Sequence, residues 1–534
     1  MHLEIWGKSL RLMRFPAPVA MLLLGLLTGC SDKDEPRPEE APTPEPAVST
    51  ADESSAAADR ATWPHKPNVL LITLCSVRAD HMSCYGYVRD TTPNIAELAE
   101  ESIVFDNAIT QWPKTTPGFA AIMSAKYGHA NGVLRTTHGP RLADEHVTLA
   151  EVLRAAGYTT AAFISSPALA AHSNIAQQGC EVVEEVFRDP RRHHLPTERA
   201  LQWLRNRDRS KPFFVWAHYN NAHYPYRGGG APNPDMFVGD RYYDARRHIQ
   251  AITKRGVGLA LGIPRNHPCF MEIVRTDIDA VHRWAVLRER PTEYAFYIAR
   301  YDAGIYGADV AIGKLLDGVR DMELWDNTII ALVCDHGESL GEHNYFFEHG
   351  RFPYDATAKV PLLIRPLGGV PERRVDAAAA TFRLAPTILD MVGIEPPADW
   401  QAASLAALMD GEATADLVFS EAGYHADYML AVRDNDWKLI QVPNELDRQL
   451  MQKSEYELYN WRGDPHERQN LVKSNPEQAQ RLAQALREWS APWVADAYRQ
   501  WHRPHVEVDR QTRRQLATLG YIDDADEDED DDDK

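Results

Sequence analysis

The 534-residue chain predicts an α/β fold: a mostly parallel central sheet flanked by helices, with a smaller C-terminal antiparallel subdomain. Three observations predict it. Short, strongly apolar runs recur at 68–74 (NVLLITL), 212–219 (PFFVWAHY) and 328–334 (TIIALVC), as expected of strands covered on both faces. Segments with helical spacing of apolar residues separate them, and strands alternating with helices argue for a parallel sheet. After about residue 415 the texture shifts to shorter strand-like runs and a closing helix.

Taken in order, NVLLITL is followed by a helix in TPNIAELAEESI and a second in TPGFAAIMSA. TLAEVLRAAG reads as a helix ended by its glycine, and TTAAFIS as the next strand. A long helix, ARYDAGIYGADVAIGKLLDGVRD, lies between PFFVWAHY and TIIALVC. Residues 227–295, with the flexible GGGAP, fit no element and read as an insertion on the substrate side, where loops vary. The domain proper spans 67–414. Residues 415–522 form the subdomain, with strands LVFSEA, YMLAVR, WKLIQV and YELYN and the helix EQAQRLAQALREW.

The ends of the chain carry addresses rather than fold. Residues 1–29 place Lys8, Arg11 and Arg14 before an apolar run too short to span a bilayer. Residues 30–66, rich in Pro, Glu, Ala and Ser, are too polar to fold and read as a disordered tether. Residues 523–534 form an acidic, solvated tail whose last five residues, DDDDK, resemble a protease-cleavage tag. The net charge of −20 is concentrated there: the tail holds −9 and the tether −5, the leader adds +2, and the body keeps −8. No cluster of Lys and Arg suggests nucleic acid as a partner. Beyond Cys30, five cysteines remain (Cys75, Cys84, Cys180, Cys269 and Cys334), an odd number without CxxC spacing.

Chemistry collects at strand ends. ALVCDHGESLGEH ends a buried strand at Cys334 and turns through Asp335-His336, a carboxylate beside an imidazole and so half of a divalent-metal site. In WPKTTPGFAAIMS, Thr115 precedes a helix whose N-terminal N–H groups suit a phosphate or sulfate; Thr115 or Thr116 also reads as a plain helix cap. HYNNAHYPY places His218 and His223 at or beyond a strand's carboxyl end, and FFEHGRFPYD puts His349 in a loop 13 residues after His336.

These segments, with RADHMSCYGY, TTPNIAELA, KVPLLI, LAPTILDMVGI, DWKLI, ELYNWRGDPHERQNL and LGYI, resemble the sulfatase family of the alkaline-phosphatase superfamily from residue 67 to about 522. Leu27-Thr28-Gly29-Cys30 resembles a bacterial lipoprotein signal, implying lipidation of Cys30 and anchoring to a membrane of the cell envelope, on the periplasmic or outer-membrane face. The family resemblance implies a divalent metal (calcium, magnesium, manganese or zinc) and hydrolysis of a sulfate or phosphate ester, on a glycan among other carriers, through a covalent intermediate. Thr115 falls at the nucleophile position, Asp335 and His336 on metal ligands, and His223 and His349 on the pair that contacts the ester.

The departures from the family pattern are specific. Thr115-Thr116-Pro117-Gly118-Phe119 replaces C/S-x-P-x-R, so no formylglycine is expected and Phe119 stands in the arginine's place. ISS occupies the place of a GKWH-like element, which supplies a basic residue in many sulfatases. Threonine is the nucleophile of phosphate-handling relatives. Cys75 stands where the family has an aspartate ligand, and three readings compete: a thiolate ligand that shifts preference toward zinc, a thiol left buried and inert or paired with Cys334, or a ligand supplied instead by Asp80. The alternative function is a catalytically degenerate protein that binds sulfated or phosphorylated glycans.

Overall fold

Six consecutive apolar or β-branched residues, 69–74, follow Asn68 in strand β1 (Asn68–Leu74), and all seven strand residues are buried. The computed structural model describes residues 66–501 except 137–140, 189–192, 225, 243–293, 413–415, 425–426, 443–447 and 449–453. The leader, Cys30, the tether, most of the insertion, LGYI and the acidic tail lie outside the described residues.

Among those residues nine strands make the central sheet: β1, β2 (Ile103–Ile109), β3 (Thr159–Ile164), β4 (Val182–Glu185), β5 (Phe213–Tyr219), β6 (Thr328–Cys334), the two-residue β9 (Lys359–Val360), β10 (Leu362–Arg365) and β11 (Arg373–Ala380). A short hairpin, β7 (Ser339–Leu340) and β8 (Phe346–Glu348), follows β6 in the chain. The path across the sheet is β11-β2-β10-β6-β1-β5-β3-β4. β1 pairs in parallel with both β5 and β6, so Leu74 lies opposite Tyr219 and Cys334. β10 runs antiparallel to both its neighbours, and β9 is antiparallel to β2. Parallel pairing therefore delivers the chain after β1, β5 and β6 to one edge of the sheet.

Helices α1 (Pro93–Ala99), α2 (Thr115–Ser124), α3 (Leu149–Ala155), α4 (Leu195–Asn206) and α5 (Tyr294–Asp321) belong to this layer. α3 starts on a capping box formed by Thr148 and Glu151. α1 stops earlier than its sequence spacing suggests. The β-branched run from Ile103 leaves the helix for β2, where Ile103, Val104 and Phe105 are buried. Two further strands lacked a clear sequence signal: β4 is a sheet edge, and β11 begins on the exposed Arg373 and Arg374.

The C-terminal strands β12 (Val418–Tyr424), β13 (Asp427–Arg433), β14 (Trp437–Gln441) and β15 (Tyr456–Asn460) form an antiparallel meander. Helix α6 (Pro476–Ser490) lays Ala479, Leu482, Ala483 and Leu486 on a core with Leu430, Val432, Leu439 and Leu458. Among the described residues no helix is long and apolar enough to cross a membrane.

Candidate active site

β1 and β6 end side by side, and the residue after each carries a metal-binding group. The Cys75, Asp335 and His336 donor atoms all lie within 4.8 Å of one another, and all three residues are buried. The turn after β1 is held by the buried Ser76, a non-glycine residue at φ +60. That costs about 1–2 kcal/mol, and it aims the Ser76 N–H at Asp335 Oδ1, 3.3 Å away. Tyr301 on α5 fixes the turn by donating its hydroxyl to the Ser76 carbonyl at 2.7 Å.

Asp335 Oδ1 is satisfied by the Ser76 and His336 N–H groups, while Oδ2 is buried without a hydrogen-bond partner among the described residues. Burial pushes the Asp335 carboxyl up to about 7. The Cys75 thiol is also pushed well up, first by burial and then by Asp335 and Cys334. His336 is held neutral by burial. Its Nδ1 lies 2.8 Å from the Gly337 carbonyl, which only accepts, so Nδ1 carries the proton and Nε2 presents its lone pair. A carboxylate oxygen without a hydrogen-bond partner, a thiol and an imidazole lone pair crowd one point, and burial disfavours the anionic forms of the carboxyl and the thiol unless a cation arrives. This donor set fits a divalent metal.

Thr115 opens α2 and is fully buried. Its hydroxyl donates to His336 Nε2 at 3.1 Å and lies 3.6 Å from Cys75 Sγ. The capping role is not observed: the N-cap residue is Lys114, no side chain caps α2, and Thr116 Oγ1 donates to the Ala168 carbonyl instead. α2 seats closely on the end of β6. A Cβ at Gly118 would stand 3.1 Å from the Trp112 carbonyl oxygen and 3.3 Å from that of Asp335.

The histidines close the site. His349 stacks on His336 at 4.0 Å between centroids, and His223 meets His349 edge-on at 5.3 Å. His349 Nδ1 lies 3.0 Å from Glu338 Oε1, and His223 Nδ1 lies 3.0 Å from the Tyr224 carbonyl. Burial lowers His223 to about 4 and drives His349 well below its ordinary range. His218 sits within β5, its Nδ1 2.9 Å from Thr73 Oγ1, and burial lowers it to about 3. Phe119 packs edge-on against His218 at 5.1 Å and supplies no charge.

Of the readings of Cys75, the pairing with Cys334 and the ligand from Asp80 are not seen, which leaves a buried thiol that either binds metal or is inert. Cys75 and Cys334 are free thiols rather than a disulfide, and Cys334 Sγ accepts the Val77 N–H at 3.1 Å. Asp80 is not in the donor set; its carboxylate is taken by Arg78 at 2.8 and 2.9 Å. Arg78 also donates to Glu342 and to the Glu338 carbonyl, which explains the RADH and GEH segments as a structural clasp. Three residues escaped the sequence reading: Glu338 behind His349, and Lys114 with Glu348, an ion pair 3.7 Å apart beside the histidines. All three stand within the segments that carry the site residues, but nothing in sequence spacing shows which way a charged side chain turns.

Comparison with known proteins places these observations. The sulfatase family model matches residues 67–394, and the model for the C-terminal part of N-sulphoglucosamine sulphohydrolase matches residues 341–491. An N-acetylglucosamine-6-O-sulfatase of Bacteroides thetaiotaomicron is 26% identical over 475 residues, covering 76% of this chain and 82% of that protein. A solved structure in complex with its substrate, D-glucosamine-2-N,6-O-disulfate, has a TM-score of 0.60 at 22% identity, covering 81% of this chain and 98% of the other. The phosphonate monoester hydrolase of Agrobacterium radiobacter has the same fold, with a TM-score of 0.60 at 18% identity over 81% of this chain and 96% of its own.

Proposed function

This chain belongs to the sulfatase family, and from that premise we propose that it hydrolyses a sulfate or phosphate ester through a covalent intermediate on Thr115. One observation carries the reading: the Thr115 hydroxyl lies at the uncapped start of α2, within 3.6 Å of Cys75 Sγ and 3.1 Å of His336 Nε2, beside the unsatisfied Asp335 Oδ2.

Asp335, His336 and Cys75 would hold the metal, with Thr115 as the nucleophile beside it. A divalent cation bound there supplies positive charge that acidifies the Thr115 hydroxyl and offsets charge building on the ester oxygens. A thiolate, an imidazole and few oxygens suit zinc better than calcium, which takes six to eight oxygens. The lone pair on His336 Nε2 takes either the Thr115 proton or a cation, not both.

Thr115 Oγ1 forms a bond to sulfur or phosphorus as the bond to the leaving oxygen breaks. α2 presents its N-terminal N–H groups and dipole to the equatorial oxygens. His349, neutral and with its Nδ1–H directed at Glu338, takes onto Nε2 the proton released by Thr115 as it attacks, Glu338 stabilises the resulting imidazolium, and that proton passes to the leaving alkoxide. His223 borders the same space and orients the ester. Water, losing a proton to His349, then attacks the threonine ester, and the same proton passes to the departing Thr115 oxygen, which frees Thr115 and the inorganic anion.

The glucosamine disulfate bound by the structural neighbour supports a sulfated sugar as the substrate class. The Leu27–Cys30 signal supports presentation from a lipid anchor on the cell envelope. The test is a metal-stripped protein reloaded with Zn, Mn, Mg or Ca and offered matched aryl sulfate, phosphate and phosphonate esters. Turnover that disappears in Thr115→Ala is expected. A folded protein silent with every metal and ester would favour the glycan-binding alternative.

A further inference from the structure

The site contains a cation that the sequence motifs did not flag. Lys114 is the N-cap residue of α2, with its backbone extended at φ −149. Its side chain runs along Gly350, just beyond His349. A Cβ built at Gly350, which sits at φ +97, would stand 2.6 Å from Lys114 Cδ and 3.5 Å from Nζ. Any side chain at 350 would therefore push the lysine aside. The ammonium rests 3.7 Å from Glu348 Oε1, an ion-pair distance but too long for a hydrogen bond. Glu348 is itself oriented by the His349 N–H, which donates to the same oxygen at 3.1 Å. The lysine thus stands beside the ring that stacks on His336 and meets His223. After burial, its charge is among the causes that lower all three imidazoles, which agrees with that placement.

Resting on the ester-hydrolase reading above, we propose that Lys114 is the anion-binding cation of this site. It exchanges its loose ion pair with Glu348 for charge-assisted hydrogen bonds to a non-bridging oxygen of the sulfuryl or phosphoryl group that Thr115 attacks. The peptide link to Thr115 ties cation and nucleophile to the same helix start, so the anion is oriented by the element that attacks it. Phe119, buried against His218, leaves that charge to Lys114. Glu348 holds the ammonium in place while the site is empty and competes with the anion for it.

The two partners make opposite predictions, which a structural role would not. Binding of inorganic sulfate and of orthovanadate to the full-length protein is measured by calorimetry, alongside KM for the aryl esters. Lys114→Met should weaken anion binding and raise KM by roughly 10- to 100-fold, the size of a lost charge-assisted contact. Lys114→Arg should restore much of it. Glu348→Gln, which keeps an acceptor for the His349 N–H, should tighten anion binding. Wild-type affinity in Lys114→Met, or weaker binding in Glu348→Gln, overturns the assignment while leaving the hydrolase reading intact. Should Lys114→Met not fold, the sign of the Glu348→Gln effect decides alone. Absence of binding by the wild type to either anion would remove the ester-site reading and Lys114's role together.

Discussion

Replacing Cys75 by aspartate should change which metal this protein uses. The donor set offers one thiol, one imidazole, one carboxylate oxygen without a partner and one hydroxyl. Zinc bonds of about 2.0–2.3 Å in a tetrahedron place ligands roughly 3.3–3.8 Å apart. Thr115 Oγ1 to Cys75 Sγ is 3.6 Å, Thr115 Oγ1 to His336 Nε2 is 3.1 Å, and His336 Nε2 to Asp335 Oδ2 is 3.5 Å. These three edges lie near those of a small four-coordinate ion, and the three protein donors as a set lie within 4.8 Å of one another. Cys75→Asp leaves three oxygens and one nitrogen, a harder set suited to Mg or Mn. Changes merely in the groups behind metal ligands cost 10- to 100-fold in affinity, so loss of the ligand itself should cost zinc at least about that, or roughly 1.4–2.7 kcal/mol. Cobalt(II) titration provides the assay. The wild type should develop a near-ultraviolet thiolate-to-cobalt charge-transfer band that both Cys75→Asp and Cys75→Ser lack, and zinc should displace cobalt more weakly from the aspartate variant. A wild-type cobalt complex without that band, or the same metal ranking in wild type and Cys75→Asp, would refute the thiolate argument.

Glu338→Gln removes the charge behind His349 while keeping an acceptor for its Nδ1–H. Turnover of esters with poor leaving groups should fall by about 10²-fold, the low end of a general acid's contribution, with little loss for leaving groups that need no proton; equal losses for both would contradict the acid role. Acid should also destabilise the metal-free protein through its buried histidines. His218 and His223, lowered to about 3 and about 4, are neutral above pH 6.5 whether the chain is folded or unfolded. Below 6.5 the unfolded chain takes up protons that the folded chain refuses, so stability falls as pH drops toward 4, by roughly 1.4 kcal/mol per pH unit for each. His336 and His349, also lowered by burial, share this slope, so His218→Gln should reduce it by about 1.4 kcal/mol per pH unit rather than abolish it, read from urea unfolding between pH 6.5 and 5; an unchanged slope would show that His218 is not held neutral.

The parallel core was legible because β1, β5 and β6 are covered on both faces and leave unbroken apolar runs in the sequence. β11 was not, since a sheet-edge strand starting Arg373-Arg374 has no such run. β2 was hidden by position: its first residue completes the apolar spacing of α1. Within the site, Asp335 and His336 were readable as a pair that follows a buried strand. The meaning of Cys75 was not, because only the register that sets Leu74 opposite Cys334 shows two neighbouring thiols engaged with Thr115 and with the Val77 N–H rather than with each other. Lys114, Glu338 and Glu348 were visible as letters, but their charges acquire meaning only once β6, α2 and the loop around Gly350 converge.

The most direct test is to trap the intermediate. The metal-reloaded protein would be mixed with a reactive aryl ester, quenched in acid within the turnover time, digested and analysed by mass spectrometry. The account predicts a sulfuryl or phosphoryl group on the peptide containing Thr115, located on that residue and absent from Thr115→Ala. Undiminished turnover in Thr115→Ala, with no group on Thr115 in the wild type, would contradict it.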